Sequence, residues 1–565
     1  MRTLAASTVS TLALAALMAL TPEATEGQEV RSMMTGPVTS HATYSGRSTV
    51  YAPNGVAATS QPLATTAALE ILQSGGNAID AAVAAAAVLN VTEPHMTGMG
   101  GDMFAILWDA EAGRLVGLDA SGKSGSRMTL EAVTAAREDD DATNAHTVTV
   151  PGALSGWSTL VETYGTMSLA EVLAPAIRIA EEGFPVTPII AHDWAAAENG
   201  LRRDPGAAAT YLVDGEAPVA GEWFRNPDLA RSFRRFADGG PEGFYGGELG
   251  REVVEGLTEL GGFITLDDLR RHEPRWVEPM SVDYKGYTLW ELPPAGQGIA
   301  ALQMLKMLEG YDFSDMTHNS AEYLHTLIEA KKLAYADLAR YVADPEHMNV
   351  DPESLLDPSY LAGRAALIDP TRAADRVDPG RLVTDSETIY LTVADRHGNM
   401  ISFINSIYSS FGSRIVIPGT GFALHNRGSG FTTEAGHVNQ VAPNKRPLHT
   451  IIPAFVTRDG EPWLSYGVMG GAMQPQGHVQ VLLNMVEFGM DPQEAIDAAR
   501  FRHFSGTRVA VENLDPGVAA ALEAMGHELL ERDGGSFGGG QAILKLARGW
   551  AAGSDPRKDG MAAGH

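Results

Sequence analysis

The segment SETIYLTVADRHGN, residues 386–399, indicates a strand followed by a tight turn. In residues 388–394, TIYLTVA, apolar side chains alternate with the others at a period of two, which is typical of a strand. Residues 395–399, DRHGN, have the composition of a turn. The strand therefore opens with Thr388 in the middle of a long chain, and this position needs an explanation.

The composition limits the class of protein. The chain has 565 residues, 44% of them hydrophobic, which is enough for one large core or several. Seventy acidic residues against 41 basic ones give a net charge of −29, spread along the chain, so nucleic acid is not expected as a partner. The absence of cysteine excludes disulfides, thiolate catalysis and zinc–thiolate sites.

The first residues, MRTLAASTVSTLALAALMAL, are typical of a secretory signal. They carry one positive charge and then an apolar run too short for a membrane span. We therefore expect residues 1–27 to be a signal peptide, with the cleavage site left open, and the protein to be periplasmic or secreted. No stable membrane span is expected in the mature form, and an N-terminal anchor is the alternative.

Helical and strand-like patterns are mixed along the chain, which favours one compact α/β body. Helical periodicity covers Leu63–Leu72, Ala78–Leu89 and Leu169–Glu182. Strand-like runs cover Phe104–Asp109, Tyr287–Leu292, Ile389–Asp395, Met400–Ile404, Ile451–Thr457 and Trp463–Gly467.

General catalytic motifs are mostly absent. The chain has no HExxH, Walker or GxGxxG motif, and the glycines of TGMGGDM, residues 97–103, indicate a tight turn. The 16 histidines include no closely spaced pair, so no metal site is predicted. GGSFG, residues 534–538, matches the GxSxG motif of serine hydrolases. We give this serine hydrolase match little weight, because further glycines follow where a helix should start and only His565 lies downstream as a base.

Residues 388–426, TIYLTVADRHGNMISFINSIYSSFGSRIVIPGTGFALHN, resemble the start of the small subunit of γ-glutamyltranspeptidases. This family, also called glutathione hydrolases, consists of N-terminal-nucleophile hydrolases. Six more segments resemble it in the family's order, so the resemblance runs from about residue 48 to the C-terminus: residues 60–86, 150–184, 293–298 (PPAGQG), 443–455 (PNKRPLHTIIPAF), 467–472 (GVMGGA) and 553–562 (GSDPRKDGMA). The resemblance implies a four-layer αββα sandwich.

The resemblance also explains Thr388. A threonine hydroxyl needs a base beside it to act as a nucleophile, and a free α-amine on the same residue can serve. Family members create this amine by self-cleavage, which here would separate Glu387 from Thr388. A large subunit, residues 28–387, and a small subunit, residues 388–565, would then stay associated as one compact domain.

Further catalytic roles follow from the resemblance at matching positions. Gly470 and Gly471 match the glycine pair whose N–H groups form the family's oxyanion hole. Ser406 matches a second threonine near the nucleophile and is expected to orient Thr388. The resemblance implies no metal and no organic cofactor.

The substrate-binding positions depart from the family's pattern. A family arginine is matched by Ser121, with Lys123 two residues on as a substitute cation, and a family aspartate that holds the substrate's amino group is matched by Gly430. The other departures are Arg427 for a glutamine, Tyr408 for an asparagine, and His449 and Thr450 for a pair of serines.

Three functions fit these residues. The first is hydrolysis or transfer of γ-glutamyl groups from glutathione-type amides to water or an amine acceptor. The second keeps the machinery but takes a glutaryl-type acyl group, whose carboxylate would use Arg427 or Lys123, as in the branch resembling cephalosporin acylases. The third is a secreted binding protein without catalysis. Arg427 and Lys123 could instead be solvated surface cations.

Overall fold

The computed structural model of the protein describes residues 47–139, 143–377 and 387–565. The predicted signal peptide lies outside these ranges. Helices are abundant before residue 370, and the three predicted helices are present. The helices are α1 Pro62–Gln73, α2 Ala78–Thr92, α3 Leu130–Glu138, α4 Ala153–Tyr164, α5 Leu169–Glu182, α6 Pro188–Leu201, α7 Pro205–Tyr211, α8 Pro227–Tyr245, α9 Glu248–Glu259, α10 Leu266–Arg270, α11 Gly298–Leu308, α12 Ala321–Tyr341, α13 Pro358–Ala365, α14 Gln474–Val486, α15 Pro492–Asp497 and α16 Pro516–Ala524.

All six predicted strands are present, with ends shifted by a few residues. The strands are β1 Val50–Ala52, β2 Val56–Thr59, β3 Asp102–Asp109, β4 Arg114–Ala120, β5 Phe184–Pro185, β6 Trp223–Phe224, β7 Arg275–Val277, β8 Met280–Tyr284, β9 Tyr287–Glu291, β10 Glu387–Ala394, β11 Met400–Tyr408, β12 Ala454–Arg458, β13 Glu461–Val468, β14 Phe501–His503, β15 Arg508–Val511, β16 Glu528–Leu529, β17 Gly540–Lys545, β18 Trp550–Ser554 and β19 Met561–Gly564.

Two seven-stranded antiparallel sheets form the centre of the molecule. The first sheet has the order β1-β18-β17-β13-β12-β9-β8, and the second has the order β19-β2-β10-β11-β3-β4-β7. The strand that begins near Thr388, β10, is thus an interior strand, paired with β2 on one side and β11 on the other.

The two sheets stack face to face at β10 and β13. Thr392 Oγ1 on β10 lies 2.7 Å from Ser465 Oγ on β13, and the ring of Tyr390 lies so close to Gly467 that a Cβ there would be 2.5 Å from it. Helix α2 covers the outer face of the second sheet, and α11 and α14 cover the outer face of the first. The predicted αββα sandwich is confirmed.

Helix α2 is held against the end of β10 by the turn that follows that strand. All 15 side chains of the alanine-rich α2 are buried, because small side chains let the helix pack closely on the sheet. Asp395 accepts hydrogen bonds from the backbone of His397 and Asn399 and, at 3.0 Å, from the first N–H of α2 at Ala78. One carboxylate therefore closes the predicted turn and caps the helix.

Two other features bear on the sequence-based alternatives. Residues Gly534–Phe537 form a short 3₁₀ turn in which Ser536 Oγ donates to Asp533, so this GxSxG motif is not the strand–turn–helix elbow of a serine hydrolase. Within the described ranges, no helix combines the length and the apolar character that crossing a membrane requires.

Candidate active site

Thr388 is fully buried at a bulge in β10. Glu387 pairs with Tyr408 and Ile389 with Asn405, so the register between β10 and β11 shifts at Thr388. The Thr388 Oγ1 donates to Ser406 Oγ at 3.3 Å, and Ser406 Oγ accepts the Tyr408 N–H at 2.8 Å. Bulges are frequent beside active sites because they re-aim a side chain.

Ser406 lies directly across from Asp102 in the pairing of β11 with β3. Thr388, Ser406 and Asp102 therefore occupy three adjacent strands at the same level of the sheet. Gly101, just before β3, allows its backbone to approach β11 closely, because a Cβ at this position would lie 2.4 Å from the Ser406 carbonyl oxygen. The glycines of TGMGGDM form the predicted tight turn, in which the Gly101 N–H donates to the Gly98 carbonyl at 3.0 Å, but the role of the adjacent Asp102 was missed.

Asp102 is a buried carboxylate fixed by backbone donors. Its Oδ1 accepts hydrogen bonds from the N–H groups of Gly122, at 3.1 Å, and Gly152, at 3.2 Å. A Cβ on either glycine would lie within 2.2 Å of a backbone carbonyl oxygen, so only glycine permits the chains to approach this closely. These contacts orient Oδ2 towards the interior of the site.

The other oxygen of Asp102 is surrounded by cationic and imidazole side chains. Asp102 Oδ2 lies 3.2 Å from His425 Nδ1, 3.6 Å from Arg427 Nε and 3.9 Å from His449 Nε2. Burial alone would raise the pKa of Asp102, but these three neighbours hold it well below its usual range. Burial, with the charge of Arg427, lowers the pKa of His449 to about 3, so that ring is neutral.

The hydrogen bonds of His425 determine where its protons lie. Its Nε2 is 2.8 Å from the Thr149 carbonyl oxygen, which can only accept, so Nε2 carries a proton. Its Nδ1 faces the Asp102 carboxylate at 3.2 Å, so the ring lies between a backbone carbonyl and a buried carboxylate.

Arg427 presents one edge of its guanidinium to the site. The side chain is buried, so its interpretation as a solvated surface cation is wrong. Its Nη1 donates to Thr450 Oγ1 at 3.0 Å, and its plane lies over the ring of Tyr408, 4.7 Å from the ring centre. Its Nη2 has no hydrogen-bond partner among the residues that the structure describes.

The glycine pair forms a left-handed turn between β13 and α14. Gly470 and Gly471 have φ values of +119° and +60°, which side chains other than glycine's rarely allow. Gln297 Nε2 donates both to the Gly471 carbonyl, at 2.8 Å, and to the Thr450 carbonyl, at 2.5 Å. The buried amide of Gln297 therefore links the glycine turn to Thr450, the residue whose hydroxyl accepts a hydrogen bond from Arg427.

The stacking of the sheets relates the start of β10 to the end of β13, which the glycine pair follows. Along β10, Thr392 faces Ser465 of β13 and Tyr390 faces Gly467. Each step of two residues towards the start of β10 is matched by a step of two towards the end of β13. Continued to the bulge at Thr388, this register predicts that Thr388 lies near the residues that lead into Gly470.

Three predicted substrate-binding residues do not join this group. Ser121 turns to Asp119, to which its Oγ donates at 2.5 Å. Lys123 Nζ pairs with the Glu346 carboxylate at 3.2 Å and lines a separate cavity, so its prediction as a substitute cation in the acyl site is wrong. Gly430 lies in the turn after Arg427 and offers no side chain.

Among the described residues, one group could hold a metal ion: His325, Glu329 and His527, whose ligand atoms lie within 4.8 Å of one another. Glu329 already receives the Lys332 ammonium at 2.7 Å, and His325 Nδ1 is 2.8 Å from His527 Nε2. His325 and Glu329 are therefore satisfied without an ion, whereas His527 Nδ1 has no hydrogen-bond partner among the described residues. No local sequence pattern reveals this group, because the two histidines are 202 residues apart.

Comparisons with known proteins cover nearly the whole chain. The family model for gamma-glutamyltranspeptidase matches residues 64–565. A glutathione hydrolase-like YwrD proenzyme of Bacillus subtilis is 37% identical over 517 residues, 89% of this chain and 97% of that protein. An oxamate amidohydrolase proenzyme of Klebsiella pneumoniae is 36% identical over 526 residues, 91% of this chain and 98% of that protein. The crystal structure of cephalosporin acylase from Bacillus halodurans is 42% identical, with a TM-score of 0.88, and the match covers 94% of this chain and 99% of that one.

Proposed function

This chain belongs to the gamma-glutamyltranspeptidase family, and from that premise we propose that it is a self-processing amide hydrolase with Thr388 as its nucleophile. Its preferred acyl group carries a carboxylate and no ammonium, as a glutaryl group does. The observation that carries this preference is the buried Arg427 next to Asp102 and Tyr408, because its Nη2 has no hydrogen-bond partner among the described residues.

The first step is cleavage of the chain before Thr388. The Thr388 hydroxyl adds to the Glu387 carbonyl carbon, the peptide C–N bond breaks as the amine takes up the proton, and an ester remains. Water then hydrolyses the ester, which leaves a carboxylate on Glu387 and a free amine on Thr388. That amine, with a reference pKa of about 7.7–8.0, is at least half neutral at pH 8 and can then accept the proton of its own hydroxyl.

The same residue then acts on the substrate. Thr388 Oγ1 adds to the substrate amide carbonyl while the α-amine takes its proton, and the N–H groups of Gly470 and Gly471 stabilise the oxyanion. The intermediate collapses to an acyl ester as the leaving amine receives the proton. Water, or an amine acceptor, releases the acyl group. Ser406 holds the Thr388 hydroxyl in place throughout.

The charges around Arg427 favour a carboxylate over an ammonium. Asp102 is the carboxylate closest to Arg427, and its two oxygens already face two backbone donors, His425 and Arg427 itself. Gly430 supplies no other acceptor. An α-ammonium would therefore be buried without a partner, which costs more than a missing neutral hydrogen bond. An acyl carboxylate could instead receive Arg427 Nη2.

A γ-glutamyl substrate is the second candidate. It is supported by the name of the Bacillus subtilis relative, which is glutathione hydrolase-like. The name of the Klebsiella pneumoniae relative supports the first candidate, since oxamate has a carboxylate and no ammonium. A binding protein without catalysis is the third.

Turnover of two anilides separates these candidates. We expect the purified, processed protein to hydrolyse glutaryl-p-nitroanilide with a kcat/KM at least tenfold above that for γ-glutamyl-p-nitroanilide. In Arg427→Gln, a lost charge-assisted hydrogen bond should lower kcat/KM for the glutaryl substrate by about ten- to a hundredfold. A preference for the γ-glutamyl substrate would overturn the acyl assignment, and no turnover of either by processed protein would favour a binding protein.

A further inference from the structure

A second polar cavity, separate from Thr388, contains the displaced Lys123. Its volume is about 350 Å³, near the lower end for pockets that hold small organic ligands. Lys123, Val150, His272, Arg275, Glu346 and Arg446 are among the residues that line it. Neither Thr388, Ser406 nor Arg427 belongs to its lining.

Three of the four cations in this cavity already have carboxylate partners. Lys123 pairs with Glu346 at 3.2 Å, and Arg271 pairs with Asp268 at 2.6 Å. Arg275 pairs closely with Asp119, which lies behind the cavity wall. These three side chains are each neutralised by a neighbour.

Arg446 is the exception. Its side chain is only 4% exposed, and its Nε donates to the Ser121 carbonyl at 3.2 Å. Among the residues with described positions, no carboxylate lies within 4.0 Å of its guanidinium, and neither Nη atom has a hydrogen-bond partner. Asp119 and Asp344 act on Arg446 only through space, since Asp119 receives Arg275 and Asp344 receives the backbone N–H of Arg446. A largely buried guanidinium whose Nη atoms lack acceptors can therefore gain hydrogen bonds from an anion in the cavity.

We propose that this cavity is a second ligand site, which binds the carboxylate of a small organic anion on the two Nη atoms of Arg446. A carboxylate matches the two parallel N–H donors of a guanidinium edge. Three carboxylates also line the cavity, so a ligand with a single negative charge suits Arg446 better than a multiply charged one. The neighbouring His272 adds no positive charge, because burial lowers its pKa to about 4 and its Nε2 already contacts Ser155 Oγ at 2.8 Å. The remaining charged side chain of the lining, Glu273, is exposed at the rim.

Benzoate and benzyl alcohol provide a matched pair of probes, equal in size and different in charge. Ligand-detected NMR titration of the processed protein should show saturable binding of benzoate and none of benzyl alcohol. Arg446→Gln should raise the Kd for benzoate more than tenfold, since charge-assisted hydrogen bonds are lost. Arg427→Gln should leave that Kd within twofold, which separates this site from the acyl site.

Loss of benzoate binding in Arg446→Gln could also result from misfolding, so a second variant that should strengthen binding serves as a control. Glu346 is exposed, and Glu346→Gln frees the Lys123 ammonium towards the cavity. This change should lower the Kd for benzoate about two- to fivefold, the size expected for one partly exposed ion pair. Benzoate binding that depends on Arg427 and not on Arg446, or equal binding of benzyl alcohol, would overturn the proposal. Absence of saturable binding would overturn it as well, whether or not the protein hydrolyses anilides.

Discussion

Thr388 and Thr392 are two buried threonines on one face of β10, and each places its hydroxyl against a serine hydroxyl. Only Thr388 lies at the bulge and beside the bond proposed for cleavage. Alanine substitutions at the two positions therefore distinguish loss of the nucleophile from loss of a buried hydroxyl contact.

Thr388→Ala should abolish self-cleavage, because the hydroxyl that attacks the Glu387 carbonyl is gone. Mass spectrometry should show the intact chain for Thr388→Ala and two pieces of about 40 and 19 kDa for the wild type, from 59.9 kDa divided by chain length. Thr392→Ala should be cleaved like the wild type, and the smaller piece should begin Thr-Ile-Tyr. Cleavage of Thr388→Ala at the same bond would contradict the assignment.

Asp102→Asn should destabilise the protein strongly. The change leaves Arg427 and His425 buried without their carboxylate, and removal of one partner from a buried ion pair costs about 3–5 kcal/mol. Thermal unfolding should show a clear fall in Tm. The double variant Asp102→Asn, Arg427→Met should recover part of the loss, and a double variant no more stable than the sum of both single changes would argue against a direct pairing.

Glu93 should make stability depend on pH. Burial raises the pKa of Glu93 to about 7, from 4.5, and the carboxyl group accepts a hydrogen bond from Ser60 Oγ at 2.7 Å. The folded state therefore holds this proton more tightly than the unfolded state does. Its contribution is present below about pH 4.5 and is lost as pH rises through 7.

Glu93→Gln removes this titration. The free energy of unfolding of the variant should gain on that of the wild type between pH 4.5 and pH 8, by about 3 kcal/mol at most. Denaturant unfolding at both pH values measures the difference. A constant difference between the two proteins would mean that Glu93 does not titrate in this range.

Single residues also show the limit of sequence reasoning. Thr388, Ser406 and the glycine pair could be predicted because they match a family pattern, whereas Asp102 could not, because its position depends on the register of β11 with β3. Lys123 was predicted wrongly because a spacing of two residues in an irregular segment does not fix which way a side chain points. Arg427 was predicted as a substrate residue, and its burial favours that interpretation over a surface cation.

At the scale of elements, Gln297 connects the start of α11 to the turn between β13 and α14. Its amide fixes the carbonyl groups of both Gly471 and Thr450. If the Gly470–Gly471 turn is the oxyanion hole, Gln297 is a positioning residue that sets its geometry relative to the acyl site.

Gln297→Leu should lower kcat by about ten- to a hundredfold, less than the loss of an oxyanion donor itself, with KM changed less than threefold. The matched control is Gln303→Leu in the same helix. Gln303 is also a buried amide, but it donates to Asp337 and the Leu355 carbonyl, away from the turn. Equal loss of kcat in both variants would indicate a general effect of burying leucine in α11.

Element types were predictable where the period was clear, and element ends were less so. The α5 helix was predicted at its observed bounds from its periodicity, and in the structure Ser168 caps it with Glu171 and Gly183 ends it. The strand predicted from Ile451 begins only at Ala454, because the Ile452 N–H donates to the side chain of Gln474 and not to a neighbouring strand. Short edge strands such as β1 and β7 have no sequence signal.

At the scale of the whole molecule, both sheets contain strands from either side of residue 388. In the second sheet, β10, β11 and β19 come from the proposed small subunit, and β2, β3, β4 and β7 come from the large one. The first sheet is mixed in the same way. The family and the sandwich predicted from sequence are confirmed, but this interleaving follows from long-range pairing that no local pattern reveals.

The two pieces should therefore stay together after cleavage. Processed protein should elute as one species in size-exclusion chromatography and unfold in one thermal transition, because separation would expose unpaired edges of both sheets. Denaturant should be needed to separate the pieces. Dissociation of the pieces under native conditions would contradict the arrangement of strands.

The position of β2 also determines when the protein can become active. This strand comes from residues 56–59, yet it lies between β10 and β19, which begin more than 300 and 500 residues later. The sheet around Thr388 is complete only after both distant segments have arrived, and such long-range contacts form late in folding. Self-cleavage would thus report completed folding: the bond before Thr388 breaks once, irreversibly, and only in chains in which β2, β10 and β19 have already paired.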